Sequence, residues 1–362
     1  MTARDIISVS EIEALLEARI EALAHELLPN GRKEGREWRV GSLAGEAGQS
    51  LAVHLGGARC GWWKDFAGGE GGDALKLIAA VLFRGNLGAA IQWAKGWLGL
   101  DASDHRRMAQ FRVEAREAAE RRDAEASEAV ARAQASARKR WHQGVPIAGT
   151  IVDRYLASRG IDLRILMRAN GAGKVPGALR FHPEVQYGYG EGAVRRPAML
   201  GAAMLLDGNH TATHRTWLKA DGSAKADASD GIAKAKKVLG PFESAHIPLW
   251  KGACGDMTLR DVPRGTDVYV SEGIEDGLTV ACADPSLRVI AGISVGNIGA
   301  LRLPPQLGAV VILAQNDRPG SDAAKAMDRA IARLRSAGHL VKVARTPGHA
   351  KDVNELAQMV AA

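Results

Sequence analysis

From about residue 267 the sequence alternates short apolar runs with amphipathic stretches of helical length, and no other feature restricts the fold as strongly. The pattern predicts strands over 267–271, 287–291, 309–314 and 339–344. It predicts helices over 275–284, 320–337 and 352–361, with a glycine loop at 292–299. Strands alternating with helices of this length imply a parallel sheet with right-handed crossovers. Two strands end in acid: Val270-Ser271-Glu272-Gly273, and Val310 to Ala314 followed by Gln315-Asn316-Asp317. Open α/β sheets place ligands at the carboxyl ends of their strands. Carboxylates gathered there repel one another unless a cation lies between them, and a hard divalent ion such as Mg²⁺ or Mn²⁺ suits oxygen ligands.

The rest of the chain narrows the class. At 362 residues it is too long for one ordinary core, so several domains are expected. No apolar run approaches the roughly 18 residues of a membrane span, and Met1 to Asp5 do not begin a signal peptide. A cytoplasmic protein with no membrane partner is expected. Three cysteines, Cys60, Cys254 and Cys282, show no paired spacing and support neither a disulfide framework nor a zinc site. A net charge of +7 and a pI near 9.4 favour a polyanionic partner.

Four segments follow along the chain: 1–100, a charged helical linker at 101–140, a basic middle domain at 141–262, and the strand–helix domain at 263–362. The first opens on a helix candidate over 10–28, with Ser10 and Glu13 at capping-box spacing. Short β segments then surround Trp38, Trp62, Trp63 and Phe66, separated by glycine-rich turns. Residues 102–140 are almost continuous Ala, Arg and Glu without a Leu or Ile heptad, which favours a solvated helix over a coiled coil. The glycine loop at 292–299 lacks the spacing of a dinucleotide fingerprint, and no phosphate-binding P-loop motif occurs anywhere.

The acidic strand ends resemble the Toprim domain of primases, topoisomerases and related nucleases. Glu272-Gly273-Ile274-Glu275-Asp276-Gly277-Leu278 is similar to its glutamate motif. Ala314-Gln315-Asn316-Asp317-Arg318-Pro319-Gly320 is similar to its Asp-x-Asp motif, with Gln315 in the place of the first aspartate. Lys351-Asp352-Val353-Asn354-Glu355-Leu356 follows in the expected order. Leu28 to Ser42 and Trp63 to Asp73 resemble the zinc-ribbon position of phage and plasmid primases, here without four metal ligands. The order of segments over nearly the whole chain is that of primases from phages, plasmids and mobile elements.

The resemblance implies an α/β multi-domain protein with a C-terminal Toprim sheet, an α+β middle domain and a small β-ribbon with helices at the N-terminus. It implies a DNA primase that makes short RNA primers on single-stranded DNA from ribonucleoside triphosphates, beside a separate replicative helicase. Glu272 and Asp317 would be catalytic, with Glu272 a candidate proton acceptor. Mg²⁺ or Mn²⁺, and no zinc, would be held by Glu272, Asp317, Gln315 and Asp322, with Asp276 or Asp352 as further acids. His214, Arg215, Lys219, Lys236 and Lys237 would contact nucleotide phosphates. Arg32, Lys33, Arg36, Arg39, Trp63, Arg195 and Arg196 would bind DNA, the cations on phosphates and an exposed Trp on a base. Two alternatives stay open: a Toprim metal-dependent nuclease, and a catalytically degenerate single-stranded DNA-binding replication module.

Overall fold

The computed structural model describes residues 7–100, 105–171 and 173–361. The chain divides into two compact units, residues 1–129 and 130–362.

In the first unit, helix α1 (Val9–Ala18) is closed by a capping box. The Ser8 hydroxyl accepts from the Glu11 amide at 3.2 Å, and the Glu11 carboxylate accepts from the Ser8 amide at 2.9 Å. The same S-x-x-E spacing recurs at Ser10 and Glu13, and the structure uses the earlier copy. The helical stretch predicted as one element breaks at Arg19, after which α2 (Ile20–Leu27) continues. Strands β1 (Arg32–Glu34), β2 (Glu37–Val40), β3 (Leu51–His54), β4 (Trp63–Asp65) and β5 (Gly71–Gly72) form an antiparallel meander in sequence order. Helices α3 (Ala74–Leu82) and α4 (Leu87–Trp97) start on the side-chain caps Asp73 and Asn86. The helices and the sheet share one core containing Ile12, Leu16, Leu23, Trp38, Val53, Trp63 and Ile78. No single described helix is long and apolar enough to cross a membrane. The one bent pair that passes by composition, α3 with α4, contributes Leu75, Leu77, Ile78, Ala90 and Ala94 to this core. Helix α5 (His105–His142) crosses the boundary between the units.

The second unit holds two five-stranded sheets. The first is antiparallel: β6 (Val145–Pro146), β7 (Leu179–Tyr187), β8 (Val194–Met204), β9 (His210–Trp217) and β10 (Lys236–Leu239), in sequence order. Helices α6 (Ile151–Ser158) and α7 (Leu163–Ala169) precede β7. The second sheet comprises β11 (Ile247–Trp250), β12 (Val268–Ser271), β13 (Arg288–Ala291), β14 (Ala309–Ala314) and β15 (Leu340–Arg345). Its order is β11-β13-β12-β14-β15, parallel apart from the antiparallel edge strand β11. Helices α8 (Ile274–Ala283), α9 (Val295–Ile298), α10 (Asp322–Ser336) and α11 (Val353–Ala361) make its connections and its end.

The parallel sheet predicted from the alternation is therefore present. Strand β11 belongs to it, although Ile247–Trp250 falls inside the segment 141–262 expected as the middle domain. Its buried Ile247 and Leu249 reach a core that joins both sheets through Tyr155, Leu156, Ile274 and Leu278.

Helix α8 can lie close on the sheet because residue 277 is glycine. A Cβ there would stand 2.3 Å from the Leu249 side chain and 2.7 Å from the Ser271 hydroxyl. That close fit aims the first turn of α8, with Glu275 and Asp276, at the ends of the central strands.

Candidate active site

Strand β12 runs parallel to both β13 and β14, with Ser271 paired to Leu313. Glu272 and Gln315 therefore leave neighbouring strands at almost the same level. Beyond them the backbone takes an uncommon path. Ile293 adopts φ 73°, a conformation that β-branched residues rarely hold. Its amide donates to the Glu272 carbonyl at 3.0 Å. Asn297 locks this loop, donating from its side chain to Ala245 and Gly292 and accepting from the Ser244 amide.

The strand ends open onto a pocket of about 170 Å³. Glu272, Asp276, Gln315 and Asp352 line one part of it, and Lys225, Lys236, Arg159 and His214 another. Between them lies Glu275, 5% exposed. Its carboxylate meets Lys225 at 2.9 Å and Lys236 at 3.4 Å, and accepts from the Tyr155 hydroxyl at 2.7 Å. Burial opposes ionisation of Glu275, but the two ammonium groups and the Tyr155 hydroxyl outweigh it and hold the carboxyl well below its usual range. One carboxylate cannot fully neutralise two ammoniums. Burial makes Lys225 shed its proton more readily than an ordinary lysine, whereas the pull of Glu275 overcomes burial at Lys236. The Arg159 Nε is buried without a hydrogen-bond partner, a donor left over at the same pocket.

Glu272 and Asp276 keep their protons more readily than ordinary carboxyls. Burial raises Glu272, and the neighbouring Asp317 adds to that, against Lys236 and Lys351. Burial and then Asp352 push Asp276 up to about 6, although it accepts the Asn354 amide at 3.2 Å. Asn354 is fully buried and ties α11 to the site by donating to the Arg159 carbonyl and to Thr279. A Cβ on Gly273 would stand 3.4 to 3.8 Å from Glu275, Lys236 and Asp276, so the absent side chain leaves a small cradle in the middle of these charges.

The donor set suits a hard ion. Glu272, Asp276, Asp352 and the Gln315 carbonyl offer oxygen ligands at the pocket, whereas Asp317 acts on the Glu272 carboxyl from outside the pocket lining. Among the described residues no three His, Cys, Asp or Glu close a cage. Mg²⁺ does not require one, since it commonly binds one or two carboxylates together with water and substrate phosphates.

The structure corrects several sequence expectations. Asp322 is exposed in the first turn of α10, where an acid complements the helix dipole, and does not line the pocket. His214 lines it, but burial and the nearby Lys236 lower its pKa to about 4, so it is neutral and brings no charge to a phosphate. Arg215 and Lys237 follow His214 and Lys236 by one residue and emerge on the other face of the sheet, as strand alternation requires. Lys219 is paired to Asp227 at 2.9 Å and Asp230 at 3.3 Å, outside the pocket. Trp63 is 3% exposed in the core and cannot stack on a base, whereas its neighbour Trp62 is 55% exposed.

The basic residues expected on DNA lie on the surface. Arg32 pairs with Glu34 at 2.6 Å, Lys33 with Glu21 at 2.7 Å and Arg36 with Glu125 at 3.9 Å. Arg39 pairs with Glu37 and lies over Phe66. Arg195 stands 4.0 Å from Glu184, and Arg196 donates to the Arg195 carbonyl. Sequence reasoning missed Lys225, Arg159, Tyr155 and the role of Glu275. Only Glu275 lay in a recognised motif, and its spacing from Glu272 gave no sign that it faces lysines rather than metal. A larger cavity of about 890 Å³, beside Trp250 and Arg288, contains none of the acidic-edge residues.

Comparison with known proteins follows the same division. Residues 267–362 match the Toprim domain family, and residues 131–249 match a domain of unknown function, DUF7146. No curated protein matches the chain. Among solved structures it is similar to the zinc-binding and RNA polymerase domains of the Aquifex aeolicus primase, at 16% identity and a TM-score of 0.40, over 96% of this chain and 82% of that one. It is also similar to a DNA primase domain from Pseudomonas aeruginosa, at 17% identity and a TM-score of 0.37, over 59% and 68%. The primase fragment of the bacteriophage T7 primase-helicase gives 18% identity and a TM-score of 0.35, over 56% and 69%. Residues 267–362, with Glu272 and Asp317 at adjacent strand ends, are a Toprim domain.

Proposed function

We propose that the protein is a DNA primase, a metal-dependent nucleotidyltransferase that joins ribonucleotides on a single-stranded DNA template. The observation that carries this reading is the division of one small pocket into an acidic wall at the Toprim strand ends and a cationic wall from the antiparallel sheet and α6. Phosphoryl transfer needs both: oxygen ligands for a divalent ion, and fixed positive charge for phosphate oxygens. At about 170 Å³ the pocket is smaller than the roughly 300–1,000 Å³ that encloses a whole small ligand, so it suits phosphates with the nucleoside lying outside.

Glu272, Asp317 and Gln315 would hold Mg²⁺ or Mn²⁺, which when bound polarises phosphate oxygens and offsets charge in the transition state. Lys236 and Lys225 bind the phosphates of the incoming triphosphate, and Arg159 offers a further donor. Glu275 and Tyr155 hold the two lysines in place. Glu272 would accept the proton of an attacking 3′-hydroxyl. The basic residues of the N-terminal unit, Arg32, Lys33, Arg36 and Arg39, and the exposed Trp62 would contact template.

The test is to supply single-stranded DNA, Mg²⁺ and labelled ribonucleoside triphosphates, and to resolve the products. Labelled chains longer than one nucleotide support synthesis. Shortened DNA without labelled chains identifies a nuclease, and retention of DNA with neither product identifies a degenerate binding module.

A further inference from the structure

The opposite face of the antiparallel sheet carries a second charged feature that the acidic pocket does not use. Lys237 and Arg215 are directly paired across β10 and β9, so their side chains leave the same face side by side. Like charges at such a pair are destabilising. Neither has an acidic partner within ion-pair distance among the described residues. Lys237 instead lies 3.8 Å from the Tyr187 ring, and Arg215 lies 5.0 Å from the Trp217 ring with its Nε buried and unpartnered.

These side chains floor a groove of about 450 Å³, and the last turns of α5 add Lys139 and Arg140 to its wall. No Asp or Glu lines it among the described residues. At its rim stands Tyr189, 93% exposed at the tip of the β7–β8 hairpin. Gly188 and Gly190 flank it with φ 78° and 68°, a backbone that lifts the ring clear of the sheet. Four cations with no acid in the groove lining among the described residues, next to an exposed ring, match the chemistry of an extended polyanion whose bases are free to stack.

We propose that this groove binds single-stranded nucleic acid, with Arg215, Lys237, Lys139 and Arg140 on its phosphates and Tyr189 stacked on a base. The inference goes beyond catalysis at the acidic edge and does not depend on it.

The test measures binding of a labelled oligothymidylate to the full chain in EDTA, across a range of salt concentrations. Removing two phosphate contacts in Arg140→Ala/Lys237→Ala should make the log–log salt slope shallower by roughly 1.4, at about 0.7 per single-strand phosphate. Tyr189→Ala should weaken binding at least about fivefold at every salt concentration, with the slope unchanged. A blunt duplex should show no Tyr189 effect. An iodouridine-substituted oligonucleotide crosslinked by ultraviolet light should map to Tyr189 by mass spectrometry. Crosslinks confined to other regions, or variants that bind as the parent does, overturn the proposal, as does an equal Tyr189 effect on duplex. A chain that synthesises nothing yet keeps the Tyr189 dependence rejects the primase reading and retains the groove.

Discussion

Lys225 and Glu275 meet at 2.9 Å across the join between the antiparallel sheet and the Toprim helix α8. Lys225 lies in the loop after β9, and Glu275 lies in the first turn of α8, within the glutamate motif. The contact therefore sets the cationic wall of the pocket against the acidic one. Lys236 shares the same carboxylate, and Tyr155 buttresses it from α6.

Glu275→Gln should remove the charge that both lysines share and leave two partly exposed ammoniums without a partner within ion-pair distance. A loss of about 1–3 kcal/mol is expected, below the roughly 3–5 of a fully buried pair because solvent screens the two lysines. Urea denaturation measures it. In a Lys225→Met background the same substitution should cost less, because one of the stranded ammoniums is already gone.

Asp276 provides a pH signature. Its folded pKa of about 6 lies above the ordinary 3.8, so the folded state takes up the proton more readily than the unfolded chain. Its contribution to stability is fully present below about pH 4 and lost as the pH rises through about 6. In EDTA, Asp276→Asn should therefore be more stable than the parent at pH 8, by up to roughly 3 kcal/mol, and no more stable near pH 4. A constant difference across that range would show that Asp276 is not the titrating group.

The adjacent tryptophans of the N-terminal unit should separate cleanly. Trp63→Ala empties a core position and should cost about 3–5 kcal/mol. Trp62→Ala changes an exposed ring and should stay within about 0.5 kcal/mol, while weakening single-stranded DNA. Chemical denaturation and a binding titration on the same two variants check both halves.

The C-terminal sheet was legible because its strands are continuous apolar runs and its helices keep one apolar stripe, so period and length alone fix the alternation. The position of Glu272 was legible for the same reason, as an acid at the end of a strand that must be buried, whereas Asp317 lies in the loop beyond β14 and does not line the pocket. The cationic wall was harder to read. Lys236 and Lys237 look equivalent in sequence, and only the pairing of β10 with β9 decides that one faces the acids and the other the opposite groove. Lys225 lies outside any periodic element, and only tertiary packing brings it to Glu275. Trp62 and Trp63 pose the same difficulty: alternation says that one ring is buried, and the register of β4 decides which.

Gln315 should set the metal requirement. It offers a carbonyl oxygen but no charge, so a divalent ion beside Glu272 and Asp317 lacks one negative ligand of the usual Toprim arrangement. Gln315→Asp should lower the Mg²⁺ concentration giving half-maximal synthesis. Mn²⁺ should support the parent at lower concentration than Mg²⁺ does, since such sites generally hold it more tightly.

The most direct measurement of the central claim is template-dependent incorporation of labelled ribonucleotides by the parent, Glu272→Gln and Asp317→Asn, across a Mg²⁺ titration. The account predicts chains of ribonucleotides from the parent and none from either variant, with folding intact by circular dichroism. Synthesis by Asp317→Asn at the parent's rate and Mg²⁺ dependence would contradict it, because catalysis would then lie away from the acidic strand ends.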